Sequence, residues 1–505
     1  MGEGHQGSGA GAAPPNILVV ILDCGRADDM PGGANPIPEM PTFERLFRES
    51  LSFPNAVAPA PWTIPSHAGL FTGLYPWESG AHLKRSLKLD PTIPTLAEIL
   101  GRHGYASLSA SANGFISPDF GLVRGFTSSA WGDWWERFLH IPTNDRPPWA
   151  INAGPTLRLP KGSFWKMLEA PAKYSNRRPI LLDALNRFTS HLVQPGETYS
   201  PLVGPWIEPT VGRWLDRQPA ERPVFCFVNY YEAHEPYIID PSQVEGGLSY
   251  WRLAQLRMDR TNFLAGRWRP RPEEYHDLRR LSRAVIRSLD DRLRRLEAEF
   301  RRAGRWDNTV VVLSSDHGQA FGERNFLFHG VRLWEPVIRI PLWIRWPDGR
   351  HAGERGIGWA SLIDVLPTVL EAAGLPRPPL PSASSLTELI DRSRLGPVMA
   401  MSDGTPARKT LARMVPPEIW EPWDQAHLAA YADHQKLILN AATGRLERFD
   451  LREDPGEATD LGTSLPAELG PLDAHLRATA RHITAGRVEA PTQELDQRLQ
   501  SWGYE

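Results

Sequence analysis

Residues 281–318 read LSRAVIRSLDDRLRRLEAEFRRAGRWDNTVVVLSSDHG, and this stretch decides the fold. Val285, Leu289, Leu293, Leu296 and Phe300 recur at steps of three and four, which makes one helix face apolar, and Gly304 stands where such a helix stops. Residues 309–316 then form a short unbroken apolar run rich in β-branched side chains, the pattern of a strand buried on both faces. A helix that feeds a buried strand is half of a βαβ unit. Residues 16–23 (NILVVILD) and 224–231 (VFCFVNYY) have the same strand character. The three runs lead into DCGRAD, YYEAH and SSDHG, so chemically able residues gather where each strand finishes. In a parallel sheet covered by helices, ligands bind outside the carboxyl ends of the strands. The sequence therefore predicts an α/β fold: a large mixed, mostly parallel sheet with helices on both faces and its chemistry along one edge.

Working outward, the chain has 505 residues, with 56 Lys+Arg against 59 Asp+Glu and a net charge of −3. That balance offers no basic face to a polyanion and excludes nucleic acid as the principal partner. Its two cysteines, Cys24 and Cys226, lie in or beside apolar runs and cannot staple a fold of this size, which leads us to expect a reducing, cytoplasmic setting. No apolar run approaches the roughly 20 residues of a spanning helix, so no membrane insertion is expected. Residues 1–14 are Gly/Ala-rich and read as a disordered tail; GEGHQG within them fits G-x-G-x-x-G but precedes the first strand instead of following one. Residues 15–375 read as the large α/β domain, interrupted at 127–215 by a Trp/Pro-rich insertion with one helical pattern at 177–193. Pro and Ser crowd at 376–385 as a linker, and 386–505 read as a smaller C-terminal α+β subdomain with strands at KLILN and LERFDL.

A carboxylate and an imidazole side by side at a buried strand end, Asp316 and His317, are costly unless something binds them, and together they suit a divalent metal with O and N ligands. Asp23 closes the first strand run without a Lys or Arg immediately beside it. In PAPWTIPSHAGLFTGLYP (59–76), Thr63 stands just ahead of a Pro-fixed turn and a helix start, whose free N–H groups favour an anion. A hydroxyl presented to a metal there is a candidate nucleophile. Plain helix capping by Thr63, Ser66 and Asp23 accounts for the same residues equally simply. Cys24 reads as packing only, and Arg26 with Asp28 as a positioning ion pair.

DCGRAD, then FPNAVAPAPWTIPSHAGLFTGLYP, NYYEAHEPY, TVVVLSSDHGQAFGE, FHG, WEPVIRIPLWIRWP, SLIDVLPTVLEAAGLP, LERFDLREDPGEATDLG and a terminal LQSWGY follow one another from about residue 15 to the end. This order resembles the landmarks of the sulfatase branch of the alkaline phosphatase superfamily. The chain departs from that pattern where it matters chemically. Such sulfatases carry Cys or Ser in C/S-x-P-x-R, converted to formylglycine; here the place holds Thr63, which cannot be so converted, and the Arg is His67. Cys24 is followed by Gly25-Arg26 and is no substitute. The G-K-W-H-like segment corresponds to SASANGFIS (109–117), offering Ser111 and Asn113. A Thr version resembles instead the members that cleave or transfer phospho groups.

The resemblance implies a metal held by Asp23, Thr63, Asp316 and His317. It implies either a second metal at Glu232, His234 and His329, or His234 and His329 as hydrogen-bond donors to substrate oxygens. Asn113 and His67 fall at substrate-binding positions. The expected cofactor is one or two divalent ions, zinc or manganese before calcium or magnesium, without formylglycine. The expected activity is hydrolysis or transfer of a small phosphate mono- or diester, or a phosphonate ester, through a phosphothreonine at Thr63, with Thr63, His234 and His329 as the catalytic groups. The alternatives are a sulfate-ester hydrolase without formylglycine and a binding module that keeps the fold.

Overall fold

The computed structural model describes residues 13–131, 206–235, 237, 239–391, 396–462 and 464–485. The N-terminal tail up to residue 12, most of the Trp/Pro-rich insertion with its helical pattern, and the terminal LQSWGY lie outside the described residues. Seven strands form the main sheet: β1 (Asn16–Leu22), β2 (Leu51–Ser52), β3 (Ala106–Ser111), β4 (Ser128–Trp131), β5 (Val224–Tyr230), β6 (Thr309–Ser315) and β7 (Leu342–Arg345), in the spatial order β2-β7-β6-β1-β5-β3-β4. From β6 to β4 every pairing is parallel, while β7 runs antiparallel to both β6 and β2. The sheet is thus mixed and mostly parallel. The three expected strands sit side by side in it, each one residue shorter than the apolar run that announced it.

The unbroken apolar runs follow from burial on both faces. Ile17, Val19 and Ile21 of β1 join one apolar cluster, and Leu18, Val20 and Leu22 join another on the opposite face. The second cluster is closed by residues of α1 (Pro41–Arg48), α3 (Ile207–Leu215) and α4 (Pro272–Arg302), the first by α2 (Thr63–Thr72) and α5 (Val365–Ala372). Each fully buried Val, Leu or Ile contributes about 1.5–3 kcal/mol, so losing either cover would strand half of every central strand. Helix α4 contains the periodic stretch that opened the reading but begins earlier, at Pro272 in the first turn, where the Glu274 carboxylate accepts from the Arg271 backbone N–H at 2.7 Å. That added start, PEEYHDLRR, is polar except for Leu278 and Tyr275 and shows no apolar stripe.

A second, antiparallel sheet runs β8 (Val398–Ser402), β9 (His427–Ala432), β10 (Gln435–Asn440), β11 (Leu446–Asp450). Met401, Leu428 and Leu439 on one face pack with Leu476 of α6 (Gly470–Ala485), while Ala400, Ala429, Ile438 and Phe449 on the other belong to the main core. The Pro/Ser stretch before it is fastened to the body: the Ser384 backbone N–H donates to Asp364 at 2.9 Å and that of Leu386 to Thr368 Oγ1 at 2.8 Å. Wholly buried Lys436 on β10 pairs with Glu335 at 2.9 Å and Glu457 at 2.6 Å, which ties this sheet to the short helix Glu335–Ile338 that precedes β7. Among the described residues no helix is long and apolar enough to cross a membrane.

Candidate active site and metal centre

Register assembles the site. Leu22 is aligned with Ser315 on one side and Tyr230 on the other, so the next residues, Asp23, Asp316 and the 231–235 turn, emerge in one row. Asp316 is then fixed through both its backbone and its side chain. Its carbonyl accepts from Ser66 Oγ at 2.6 Å, and its Oδ1 accepts from the backbone N–H groups of Cys24 at 3.2 Å and His317 at 2.9 Å. Gly318 follows because nothing larger fits: its N–H donates to the Val337 carbonyl at 2.6 Å, and a Cβ there would lie 2.3 Å from the Pro336 carbonyl oxygen.

His317 donates from Nδ1 to the Gly318 carbonyl at 2.9 Å, which leaves the lone pair on Nε2. That atom faces Asp316 Oδ2 at 3.3 Å, and both are buried without a hydrogen-bond partner. Burial pushes His317 down to about 4, so its ring is neutral. Burial also raises Asp316 to about 7, and burial together with the charge of Asp316 raises Asp23 to about 6. Two acceptor lone pairs in contact, beside a second buried carboxylate, are stable only around a proton or a cation. The donor set Asp23, Asp316 and His317 fits a divalent metal of the O/N-binding kind.

Asn113 joins the nucleophile candidate to this cluster. Its Nδ2 donates to Asp23 Oδ2 at 2.7 Å and lies 3.4 Å from Thr63 Oγ1, while its Oδ1 accepts from the Phe115 N–H at 2.9 Å. Ser111 supports it, accepting from the Asn113 backbone N–H at 3.0 Å. Thr63 is the first residue of α2 and only 1% exposed, so its hydroxyl sits at the positive end of a buried helix. The structure thus links Thr63 to Asp23 through Asn113, a residue the sequence reading placed at the substrate and not with the metal group.

Beside them lies a second group. His234 donates from Nδ1 to the Glu235 carbonyl at 2.6 Å. His329 contacts Gln319 Oε1 through Nδ1 at 2.6 Å and accepts at Nε2 from Arg260 at 3.0 Å. Arg260 also pairs with Glu235 Oε1 at 2.8 Å, and Gln319 Nε2 donates to Glu235 Oε2 at 3.1 Å. Although burial pushes Glu235 upward, the charges of His234 and Arg260 outweigh it and hold this carboxyl below its ordinary range. Burial, then the charge of Arg260, drives His329 well below the usual imidazole value.

Three expectations are corrected here. Glu232 does not face this group: the turn at Tyr231–Ala233 sends it to Arg292, at 2.5 Å, and Glu235 takes its place. His67 is fully buried against Phe71 and Phe227, donates to the Thr63 carbonyl at 2.9 Å, and is pushed by burial down to about 3; it props the turn under Thr63 as a neutral ring and is no cation for a substrate. Cys24 is more than packing, since its Sγ lies 3.6 Å from Asp23 Oδ1, 3.7 Å from His317 Nδ1 and 3.6 Å from His329 Nδ1. Arg26 does act as the expected positioning group, paired with Asp28 at 2.7 Å and Glu323 at 2.5 Å. Glu235, Gln319 and Arg260 escaped the sequence reading. The first two stand next to quoted motif residues, but Arg260 comes from a short helix, Arg260–Leu264, capped by Asp259, where no motif marks it.

Comparison with known proteins agrees with this geometry. Residues 15–375 match the family model described as Sulfatase. The chain is 23% identical over 481 residues to arylsulfatase K of Bos taurus, covering 92% of this chain and 81% of that one. It is 26% identical over 400 residues to the multifunctional alkaline phosphatase superfamily protein PehA of Trinickia caryophylli, covering 71% and 74%. Its fold is similar to the phosphonate monoester hydrolase of Agrobacterium radiobacter, with a TM-score of 0.62 at 17% identity, covering 93% of this chain and 95% of that one. Enzymes of this family are metal-dependent, in keeping with the ligand groups found here. The chain belongs to the sulfatase family and is an ester hydrolase of the sulfatase-like branch of the alkaline phosphatase superfamily.

Proposed function

We propose that this enzyme hydrolyses, or transfers to an alcohol, the phospho group of a small phosphate mono- or diester or phosphonate ester, with Thr63 as the nucleophile and a phosphothreonine as the covalent intermediate. One observation supports the reading: the Asn113 amide reaches both Asp23, at 2.7 Å, and Thr63 Oγ1, at 3.4 Å, which links the hydroxyl to a carboxylate that feels the charge of Asp316. Asp23, Thr63, Asp316 and His317 would hold one divalent cation, zinc or manganese in this proposal. When bound, it would lower the pKa of the Thr63 hydroxyl and neutralise charge on the ester oxygens.

The chain's own residues supply the rest. Asn113 orients Thr63 Oγ1 for in-line attack on phosphorus; the Oγ–H bond breaks and its proton passes to water, the Oγ–P bond forms, and the bond to the leaving oxygen breaks as that oxygen departs and takes up a proton from water. Arg260 donates to the ester oxygens and His234 steadies an oxygen or the departing group, while His329, held between Gln319 and Arg260, positions the guanidinium. Water or a bound alcohol then takes the phospho group from Thr63. A guanidinium that is always charged already answers Glu235 and His329, which favours one metal here over two.

Sulfate-ester hydrolysis without formylglycine is the second reading, favoured by the likeness to arylsulfatase K along 92% of the chain. Phosphate monoesters carry about two negative charges near neutral pH and sulfate monoesters one, so a metal plus Arg260 suits phosphate better. Two buried, unpaired cysteines support a reducing, cytoplasmic location as part of the proposal. The test is rapid quenching with an aryl phosphate, a phosphodiester and a sulfate ester, followed by peptide mass spectrometry. A phospho adduct on the Thr63 peptide is expected, with turnover lost at least about 10³-fold in a folded Thr63→Ala protein. Undiminished Thr63→Ala turnover would remove Thr63 as nucleophile, and a faster sulfate ester would favour the second reading.

A further inference from the structure

Cys24 has no part in the steps above, yet it is the one residue common to both ligand groups: it stands with Asp23 and His317 on one side and with His234, Glu235 and His329 on the other. The thiol is buried, with the Cys24 residue 1% exposed, and a packing role would surround its sulfur with carbon. Instead its polar neighbours, Asp23 Oδ1, His317 Nδ1 and His329 Nδ1, lie at 3.6, 3.7 and 3.6 Å. The backbone is bent to achieve this. Cys24 has φ of +61°, a left-handed conformation that is strained for a side chain-bearing residue and persists only where the surroundings fix it. The Cys24 N–H bond to Asp316 Oδ1 at 3.2 Å and the Gly25 N–H bond to the Leu22 carbonyl at 3.1 Å do so. One ligand atom each of Asp23, Cys24 and His317 lies within 4.8 Å of the others; the His317 nitrogen 3.7 Å from the sulfur is Nδ1, which donates to the Gly318 carbonyl, while His317 Nε2 and Asp316 Oδ2 are buried without hydrogen-bond partners.

We propose that Cys24 is a ligand of the catalytic cation, bound as the thiolate on the Asp23–His317 side. The inference rests on the reading that this cluster holds a divalent metal. As the sulfur–metal bond forms, the S–H bond breaks and the proton leaves to solvent. The cation binds on this side because Arg260 already places a positive charge on Glu235, at 2.8 Å, and on His329, at 3.0 Å. A carboxylate, imidazole and thiolate set is softer than an all-oxygen cage, so the centre selects zinc or cobalt over calcium or magnesium.

Cobalt(II) titration of the full-length, metal-stripped protein tests this by absorbance. Wild type and Cys226→Ala should both develop a thiolate-to-cobalt charge-transfer band that saturates at one equivalent; Cys24→Ser should bind cobalt without that band. Zinc affinity, measured against a competing chelator, should fall at least about 100-fold in Cys24→Ser, the upper end of what loss of an outer partner costs. The chemical shift of cadmium bound to wild type gives a readout that needs no variant, and a sulfur-containing coordination sphere is expected. Cobalt bound at one equivalent by wild type without the band, or cadmium with a shift typical of oxygen and nitrogen alone, would overturn the thiolate ligand and leave the metal centre standing. Failure of wild type to bind cobalt, zinc or cadmium would overturn the centre itself.

Discussion

The two halves of the site use the same kinds of side chain to opposite ends. On one side, Asp316 Oδ2 and His317 Nε2 meet at 3.3 Å with nothing between them, and burial lifts the carboxyls of Asp316 and Asp23 to about 7 and about 6. On the other, Glu235 is met by Arg260 at 2.8 Å and Gln319 at 3.1 Å and is held below its ordinary range, although it too is buried. Among the described residues no Lys or Arg pairs with Asp316 or Asp23 in the first half, whereas Arg260 pairs with Glu235 in the second. Counting His, Asp and Glu near a strand end does not separate these cases; the partner of each lone pair does.

Breaking the first half should have the largest effect. Asp316→Asn removes one of the two opposed acceptors and should weaken metal binding at least about 100-fold by calorimetric titration, while the metal-free protein melts no lower than wild type. Unchanged affinity would mean that the cation, if any, lies elsewhere. Breaking the second half should act on turnover and on metal count together. Arg260→Met leaves Glu235 buried without its guanidinium, and we expect kcat/KM to fall about 10²-fold and a second equivalent of zinc to bind. A variant with unchanged kcat/KM would remove Arg260 from the reaction.

The smallest effect concerns stability and pH. In the metal-free protein, Asp23 and Asp316 have folded-state values of about 6 and about 7, against 3.8 for an ordinary aspartate. These two carboxyls then bind more protons in the native than in the unfolded state between about pH 4 and 7, so their own contribution to stability falls as the pH rises through that window, while the neutral buried rings of His67 and His317, held down to about 3 and about 4, act in the opposite sense. In denaturant melts of metal-free protein at pH 4.5–7.5 (roughly, to bracket that range), wild type should lose at least about 1 kcal/mol relative to Asp316→Asn, whose amide does not titrate. A difference that grows in favour of wild type across the window would contradict the assignment.

Much of the first half was legible in the chain. Strands buried on both faces leave unbroken apolar runs, and Asp23 and Asp316 stand where those runs end, so β1 and β6 and their carboxylates could be read directly. The second half was not. Whether Glu232 or Glu235 turns toward His234 depends on a single short turn and on Arg292 claiming the former, neither of which leaves a periodic mark. Arg260 is one of 56 basic residues and becomes special only because its short helix aims it at His329. Cys24 follows an apolar run and looks like its last packing residue; the φ of +61° that turns its sulfur into the site is a property of the fold. His67, at the place of a family Arg, promised a substrate contact, yet an imidazole is short and neutral enough to be absorbed between Phe71 and Phe227.

The most direct test of the contrast is the metal-to-protein ratio of the purified full-length enzyme, measured by plasma mass spectrometry after saturation with zinc and removal of loosely bound ion. One equivalent is predicted, held by the half with the opposed lone pairs. Two equivalents would show that Arg260 does not stand in for a second cation, and none would contradict the metal centre on which the whole account depends.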